Sequence, residues 1–217
     1  MVAGDTTFSP RICDGYPQAL YCNDFEDGIG DLVNFGGALT DAGGFGDSAG
    51  LTFTVTPGDM PRAIHTLAMA IESGPLYVAG RLWMAPGPFI GDYLVVAQAT
   101  SPNASTKISF DMVDDDSPQI VNDVGNQGGR QAPSGSFPRD RWFCFELMID
   151  VSTASARGVT LSFDGREVIS AWEGVSTLPA GGWARVEIGA FASPANTAPV
   201  TVTFDNWVVQ TAPIGCP

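Results

Sequence analysis

Three observations predict an all-β sandwich of two antiparallel sheets. Glycine (26) and proline (16) make up about a fifth of the 217 residues, which leaves little room for long helices. From Ala19 onward, short runs of β-branched and aromatic residues alternate with clusters of Gly, Pro, Asn and Asp, the pattern of successive strands and turns. Several of those runs also alternate strictly between apolar and polar residues, as strands with one buried face do.

In chain order, strands are expected at Leu51 to Thr56, Leu76 to Met84, Tyr93 to Ala99, Lys107 to Val113, Trp142 to Asp150, Val159 to Phe163, Glu167 to Trp172, Ala184 to Ala190 and Val200 to Val209. In the fifth, Phe143, Phe145, Leu147 and Ile149 share one face, and Trp142, Cys144, Glu146, Met148 and Asp150 the other. In the second, Leu76, Val78, Leu82 and Met84 face the core, with Tyr77, Arg81 and Trp83 opposite. Asp164-Gly165 predicts a two-residue hairpin, because both residues accept positive φ. Pro61 to Ala70 reads as a short helix if as anything, Asp114-Asp115-Asp116 as a hairpin loop, and the glycine-rich stretch Gly125 to Gly135 as a mobile rim loop. Residues 1–18 are expected to be a flexible lead-in and residues 19–217 a single domain, large enough for a sizeable core.

The chain carries 24 acidic and 10 basic residues, a net charge of −14. Such a field repels phosphate backbones and anionic lipid headgroups, so nucleic acid is not an expected partner. Lys107 is the only lysine beside nine arginines, a bias to which the sequence attaches no binding chemistry. The longest uncharged run, Ile188 to Phe204 less its Pro194 and Pro199 interruptions, is no membrane span. No basic, then apolar export signal is present either, so an exported protein would have lost it already.

Cys13, Cys22, Cys144 and Cys216 form no CxxC pair, and His65 is the only histidine. Zinc spacing is therefore missing and disulfides in an oxidising compartment are expected. If the first and last strands lie side by side, Cys13 meets Cys216 and Cys22 meets Cys144, which is the preferred pairing. The competing scheme joins Cys13 to Cys22 and Cys144 to Cys216.

Four segments, Leu20-Tyr21-Cys22-Asn23-Asp24-Phe25-Glu26-Asp27-Gly28, Arg141-Trp142-Phe143-Cys144-Phe145-Glu146, Phe163-Asp164-Gly165 and Phe204-Asp205-Asn206-Trp207, together resemble the concanavalin A-like lectin/glucanase jelly rolls, and within them the laminin-G-like domains of secreted bacterial proteins. The resemblance spans residues 19–217. It implies a jelly-roll sandwich whose concave sheet carries sugar-binding or catalytic residues, with the first and last strands side by side. It also implies a structural calcium ion on the convex side, for which Glu26, Asp47 with its Gly46-Asp47 loop, and Asp205 occupy the corresponding places; hard oxygen ligands suit that ion.

The catalytic signatures of the family are missing. No Glu-x-Asp-x-x-Glu strand occurs, and Glu146 and Asp150 on one strand face lie roughly 13 Å apart, too far for a retaining pair. The Gln-x-His strand of alginate-lyase-like relatives fails because Ala63 stands where Gln is needed. His65 shares a face with Leu67 and Met69 and is read as structural. The leading expectation is thus an extracellular or cell-surface, non-catalytic carbohydrate-binding domain. Tyr77, Arg81, Trp83, Trp142 and Glu146 would form its platform, aromatic faces stacking on sugar C–H patches while Arg and carboxylate fork onto hydroxyls. An adhesion or structural domain that binds a surface protein is the alternative, and a polysaccharide hydrolase or lyase the third reading.

Overall fold

The computed structural model describes residues 11–86, 92–113, 115–170, 172–195 and 198–217. Residues 1–10 of the expected lead-in and Asp114 of the acidic run lie outside them. In chain order the strands are β1 (Tyr21–Asn23), β2 (Val33–Phe35), β3 (Ala38–Thr40), β4 (Gly50–Val55), β5 (Arg62–Ile71), β6 (Gly74–Met84), β7 (Tyr93–Thr100), β8 (Lys107–Val113), β9 (Ser117–Asn122), β10 (Gly128–Gln131), β11 (Phe143–Val151), β12 (Val159–Phe163), β13 (Arg166–Ile169), β14 (Trp183–Ala192) and β15 (Val200–Gln210). The first sheet runs β13-β12-β11-β6-β15-β4-β3, with β1 also on β15, and the second runs β10-β9-β8-β7-β14-β5-β2. Every pairing is antiparallel, and the two sheets form a jelly-roll sandwich.

The alternation read from the sequence sets the core. Phe143, Phe145, Leu147 and Ile149 of β11 and Leu76, Val78, Leu82 and Met84 of β6 are completely buried. Phe110 of the second sheet meets Phe145 and Phe163 of the first at ring distances of 5.7 and 5.5 Å, and Phe137 closes the same cluster. Each such side chain contributes about 1.5–3 kcal/mol by leaving water, so this cluster is a principal bond between the sheets. Asp164 and Gly165 both take positive φ (49° and 73°) and put Phe163 opposite Arg166 in the hairpin between β12 and β13.

Two segments depart from expectation. Residues Arg62–Ile71 form a ten-residue strand, not a helix: hydrogen bonding to β14 on one side and β2 on the other outweighs the helix propensity of Ala63, Leu67, Ala68 and Ala70. His65 and Leu67 point inward, but Met69 is 80% exposed, because the register with β14 shifts beyond Thr66. Within Gly125 to Gly135, Gly128–Gln131 is a short exposed edge strand paired with β9.

The disulfides follow the competing scheme, Cys13–Cys22 and Cys144–Cys216. The first and last strands are neighbours as expected, with Tyr21 opposite Val209. The preferred pairing nonetheless fails, because the chain after Gln210 does not continue towards Cys13. It turns back across the first sheet and reaches Cys144 on β11. Cys13 lies in a short 3-10 turn, Ile12–Gly15, that folds onto β1, so residues 12–15 are tied to the domain. A non-reducing peptide map is expected to yield a Cys13–Cys22 peptide and a Cys144–Cys216 peptide; a Cys22–Cys144 peptide would contradict the fold of the tail.

Candidate functional site

The five residues expected to form a sugar platform do share one surface. Cys144 lies opposite Arg81 and Met148 opposite Tyr77, so Tyr77, Arg81 and Glu146 project from the outer face of adjacent strands. Trp83 continues that face on β6, and Trp142 stands at the start of β11. That surface is already occupied. The Glu146 carboxylate Oε2 accepts the backbone N–H of Ile214 and of Gly215, each at 2.8 Å, and Arg81 Nε donates to the carbonyl of Pro217 at 2.6 Å. The Tyr16 hydroxyl donates to the Ile214 carbonyl at 3.4 Å, and Tyr77 is only 3% exposed. Arg81 further stacks on Phe45 at 4.2 Å, whose ring meets Trp142 edge-on. Burial pushes the Arg81 guanidinium below its usual value, opposed by the charges of Asp164 and Asp205. The tail thus already engages Glu146 through Oε2 and Arg81 through Nε, the two groups that would have forked onto sugar hydroxyls.

The expected metal ligands also gather at one corner. Asp205, 1% exposed, accepts the Phe45 N–H (2.8 Å) and the Ser48 hydroxyl (2.6 Å) on Oδ2, and the Asn206 N–H on Oδ1 (2.6 Å). Glu26 Oε1 accepts the Ala49 N–H at 2.9 Å. Burial raises the Asp205 pKa; these hydrogen bonds oppose the shift and the Glu26 charge adds to it. The loop therefore offers donors to both carboxylates, an arrangement suited to a hydrogen-bonded clasp rather than to a metal cage. Glu26, Asp47 and Asp205 do not come within ligating distance as a trio; among the described residues only Cys144, Asp164 and Cys216 do so, and those sulfurs form a disulfide.

The opposite surface is the outer face of the second sheet, on which Thr100, Ser109, Asp111 and Glu187 are buried. It holds a cleft of about 420 Å³ lined by residues of β5, β7, β8 and β14 and by Met60, Ala104, Ser105 and Asp123. The register builds its floor. Glu187 of β14 lies opposite Ile64 of β5 and Gln98 of β7, and one row along, Arg185 lies opposite Thr100, itself opposite Lys107 of β8. Directly paired residues project from the same side of a sheet, so these side chains all reach the cleft. Glu187, 5% exposed, accepts Gln98 Nε2 at 2.8 Å and the Thr100 hydroxyl at 3.3 Å, and Arg62 Nε stands 3.5 Å from its Oε2. The Arg62 guanidinium also lies over Phe35 at 5.7 Å, which fixes its plane. At Gly189 a Cβ would come within 2.5 Å of the Pro61 carbonyl and 2.6 Å of Arg62 Cα, so β5 and β14 approach closely enough beside Arg62 only because that residue is glycine.

Beyond the cleft on the same side of β8 stands Asp111, opposite Val95 and Gln119. It is 3% exposed and its Oδ1 has no hydrogen-bond partner. Burial pushes its carboxyl up to about 6, with Ser109 and the Lys107 charge pulling the other way. His65 projects to the opposite side. It lies across from core residue Val186, stacks on Tyr21 at 4.1 Å and stands 3.5 Å from Asp31; burial lowers its pKa, with Asp31 opposing. Sequence reasoning missed the cleft because β5, which forms one wall, read as helical, and because Glu187, Gln98 and Arg62 become neighbours only through strand pairing.

No family model matches the sequence, and no curated protein is similar to it in sequence. Solved structures are similar in fold. A cellulose-induced protein, Cip1, superposes with a TM-score of 0.66 at 13% identity over 91% of this chain and 100% of that one. An endo-β-1,4-glucuronan lyase from the fungus Trichoderma reesei gives 0.63 at 14% identity over 91% and 92% of the two chains. A botulinum neurotoxin type C chain, whose cell entry depends on two ganglioside molecules, gives 0.62 at 8% identity, over 85% of this chain and 43% of that one. At such identities the likeness establishes the jelly-roll fold, consistent with the concanavalin A-like resemblance.

Asp111 dictates a pH dependence. Its folded pKa of about 6 lies above the unfolded value near 3.9, so the folded state holds the proton more tightly and the contribution of this group to stability falls as pH rises from about 4 through 6. Asp111→Asn removes that loss. Its unfolding free energy relative to wild type is expected to rise by about 2 kcal/mol between pH 4 and pH 7, measured by urea unfolding; a pH-independent difference would contradict the assignment.

Proposed function

We propose that this protein is an extracellular glycan-binding domain that holds its ligand in the cleft of the second sheet, not on the platform of Tyr77, Arg81, Trp83, Trp142 and Glu146. One observation carries the reading: the tail engages Arg81 and Glu146 on the outer face of the first sheet, whereas the second sheet offers a cleft with planar polar groups beside apolar ones. Arg62, Gln98 and Glu187 are suited to pairs of sugar hydroxyls, and Phe191, Ile64 and Met60 to the C–H faces of pyranose rings. The names of the structural neighbours, a cellulose-induced protein, a glucuronan lyase and a ganglioside-dependent toxin, support a carbohydrate ligand. The two disulfides support an oxidising, extracellular or cell-surface location, and the four sequence segments above support a laminin-G-like subdivision. Among the described residues no helix is long and apolar enough to cross a membrane.

Native affinity electrophoresis through gels containing neutral and acidic polysaccharides, followed by chain-length analysis of the polymer, tests this function. Retardation with intact polymer is expected. Phe191→Ala is expected to weaken retention by about tenfold, the scale of one lost aromatic contact, while Trp142→Ala leaves it unchanged. The reverse pattern would return the site to the first sheet, shortened polymer would make the protein an enzyme, and no retardation on any polymer would favour a protein-binding role.

Calcium is a separate proposal for the corner of Glu26 and Asp205. An ion there would have to displace the Phe45, Ser48 and Ala49 donors from the two carboxylates, with Asp47 as a third ligand only if the loop moved. Calcium binding would raise the melting temperature and a chelator would lower it; a melting temperature indifferent to both assigns the corner to the hydrogen-bonded clasp alone.

A further inference from the structure

The charge inside the cleft runs against the charge of the molecule. Acidic residues outnumber basic ones by 24 to 10 over the chain, yet the cleft is lined by Arg62, Lys107 and Arg185 against only Asp123 and Glu187. Of the two acids, Glu187 is buried and committed to Gln98, Thr100 and Arg62. The cations are less engaged. The Lys107 ammonium makes no hydrogen bond or ion pair with the described residues, although its charge acts on Asp111, and the one side-chain hydrogen bond of Arg185 goes to a neutral acceptor, the Pro102 carbonyl at 2.8 Å. Arg62 meets Glu187 only through Nε, so the outer edge of its guanidinium fork is unclaimed.

The cations are also spread out. Arg185 and Lys107 stand in one cross-strand row with β7 between them, which separates their backbones by about 10 Å. Arg62 lies on the far side of β14, in another row. Three cations on three strands do not converge on one small anion. They match negative charges repeated along an extended chain, and the apolar residues between them match sugar rings rather than a purely ionic polymer.

We propose that the ligand of the cleft is a polyuronate, a glycan whose sugars carry carboxylates, recognised by Arg62, Lys107 and Arg185. This rests on the glycan-binding reading above and adds the chemical class of the ligand. The remaining surface, strongly acidic, repels polyanions in general, so such binding would be confined to the cleft.

Isothermal titration with hexamers of glucuronate, galacturonate and mannuronate, each beside its carboxyl-reduced counterpart, isolates the C6 carboxylate. At least one uronate hexamer is expected to bind about tenfold or more tightly than its reduced counterpart. The double variant Lys107→Gln/Arg185→Gln is expected to abolish that preference while leaving affinity for the reduced hexamer and the melting temperature unchanged. Equal or better binding of the reduced hexamers, sensitive to Phe191→Ala, would overturn the polyuronate class and leave the glycan cleft standing. A uronate preference that survives the double variant would overturn the role of Lys107 and Arg185. Preferential binding of single-stranded DNA of matched charge would overturn the ligand class, and binding of no glycan would remove the cleft reading itself.

Discussion

The C-terminal tail lying across the first sheet is the constraint on which the functional geometry depends. Glu146 receives two backbone N–H groups from Ile214 and Gly215, Arg81 donates to the Pro217 carbonyl, and Cys216 is bonded to Cys144. A half-buried carboxylate held by two amides is a strong, charge-assisted contact, and the disulfide beside it restricts how far the tail can leave. The chain itself thereby occupies the outer face of the first sheet at β6 and β11. The proposed recognition therefore uses the other side.

That other side is built by pairing alone. The order β8-β7-β14-β5 aligns Lys107, Thr100, Arg185 and Thr66 in one row and Ser109, Gln98, Glu187 and Ile64 in the next. The buried Glu187 carboxylate organises the floor, because a buried charge needs partners and Gln98, Thr100 and Arg62 supply them. Holding those three side chains in place preorganises the cleft before any ligand arrives, which lowers the ordering cost of binding. The apolar side chains of Ile64 and Phe191 stand among these polar groups, the mixture that sugar surfaces call for.

Much of the sandwich was legible in the sequence. Strands with one wet and one dry face announced themselves, as in β11, where Phe143, Phe145, Leu147 and Ile149 alternate with Cys144, Glu146 and Met148, and Asp164-Gly165 marked its hairpin through backbone chemistry that is local. β5 was illegible for the opposite reason. Its Ala-rich composition favours helix, its inward face carries a histidine and its outward face an isoleucine, so neither propensity nor alternation marked a strand. β10 has only Gly128, Gly129, Arg130 and Gln131 and exists because β9 offers it an edge. The residues picked for a sugar platform were correctly placed on one face, but sequence alternation cannot say what lies on top of a face.

By itself, then, the sequence determined the all-β class, the alternation that fills the core, the hairpin at Asp164-Gly165 and the presence of disulfide-forming cysteines, because each is a matter of short-range pattern and composition. Only the tertiary structure decided which cysteines pair, which sheet the tail crosses and which charges meet in the cleft of the other. Those outcomes depend on contacts between residues far apart in sequence: Glu146 with Ile214 across 68 positions and Gln98 with Glu187 across 89. No local preference encodes such distances; strand order and the path of the tail do.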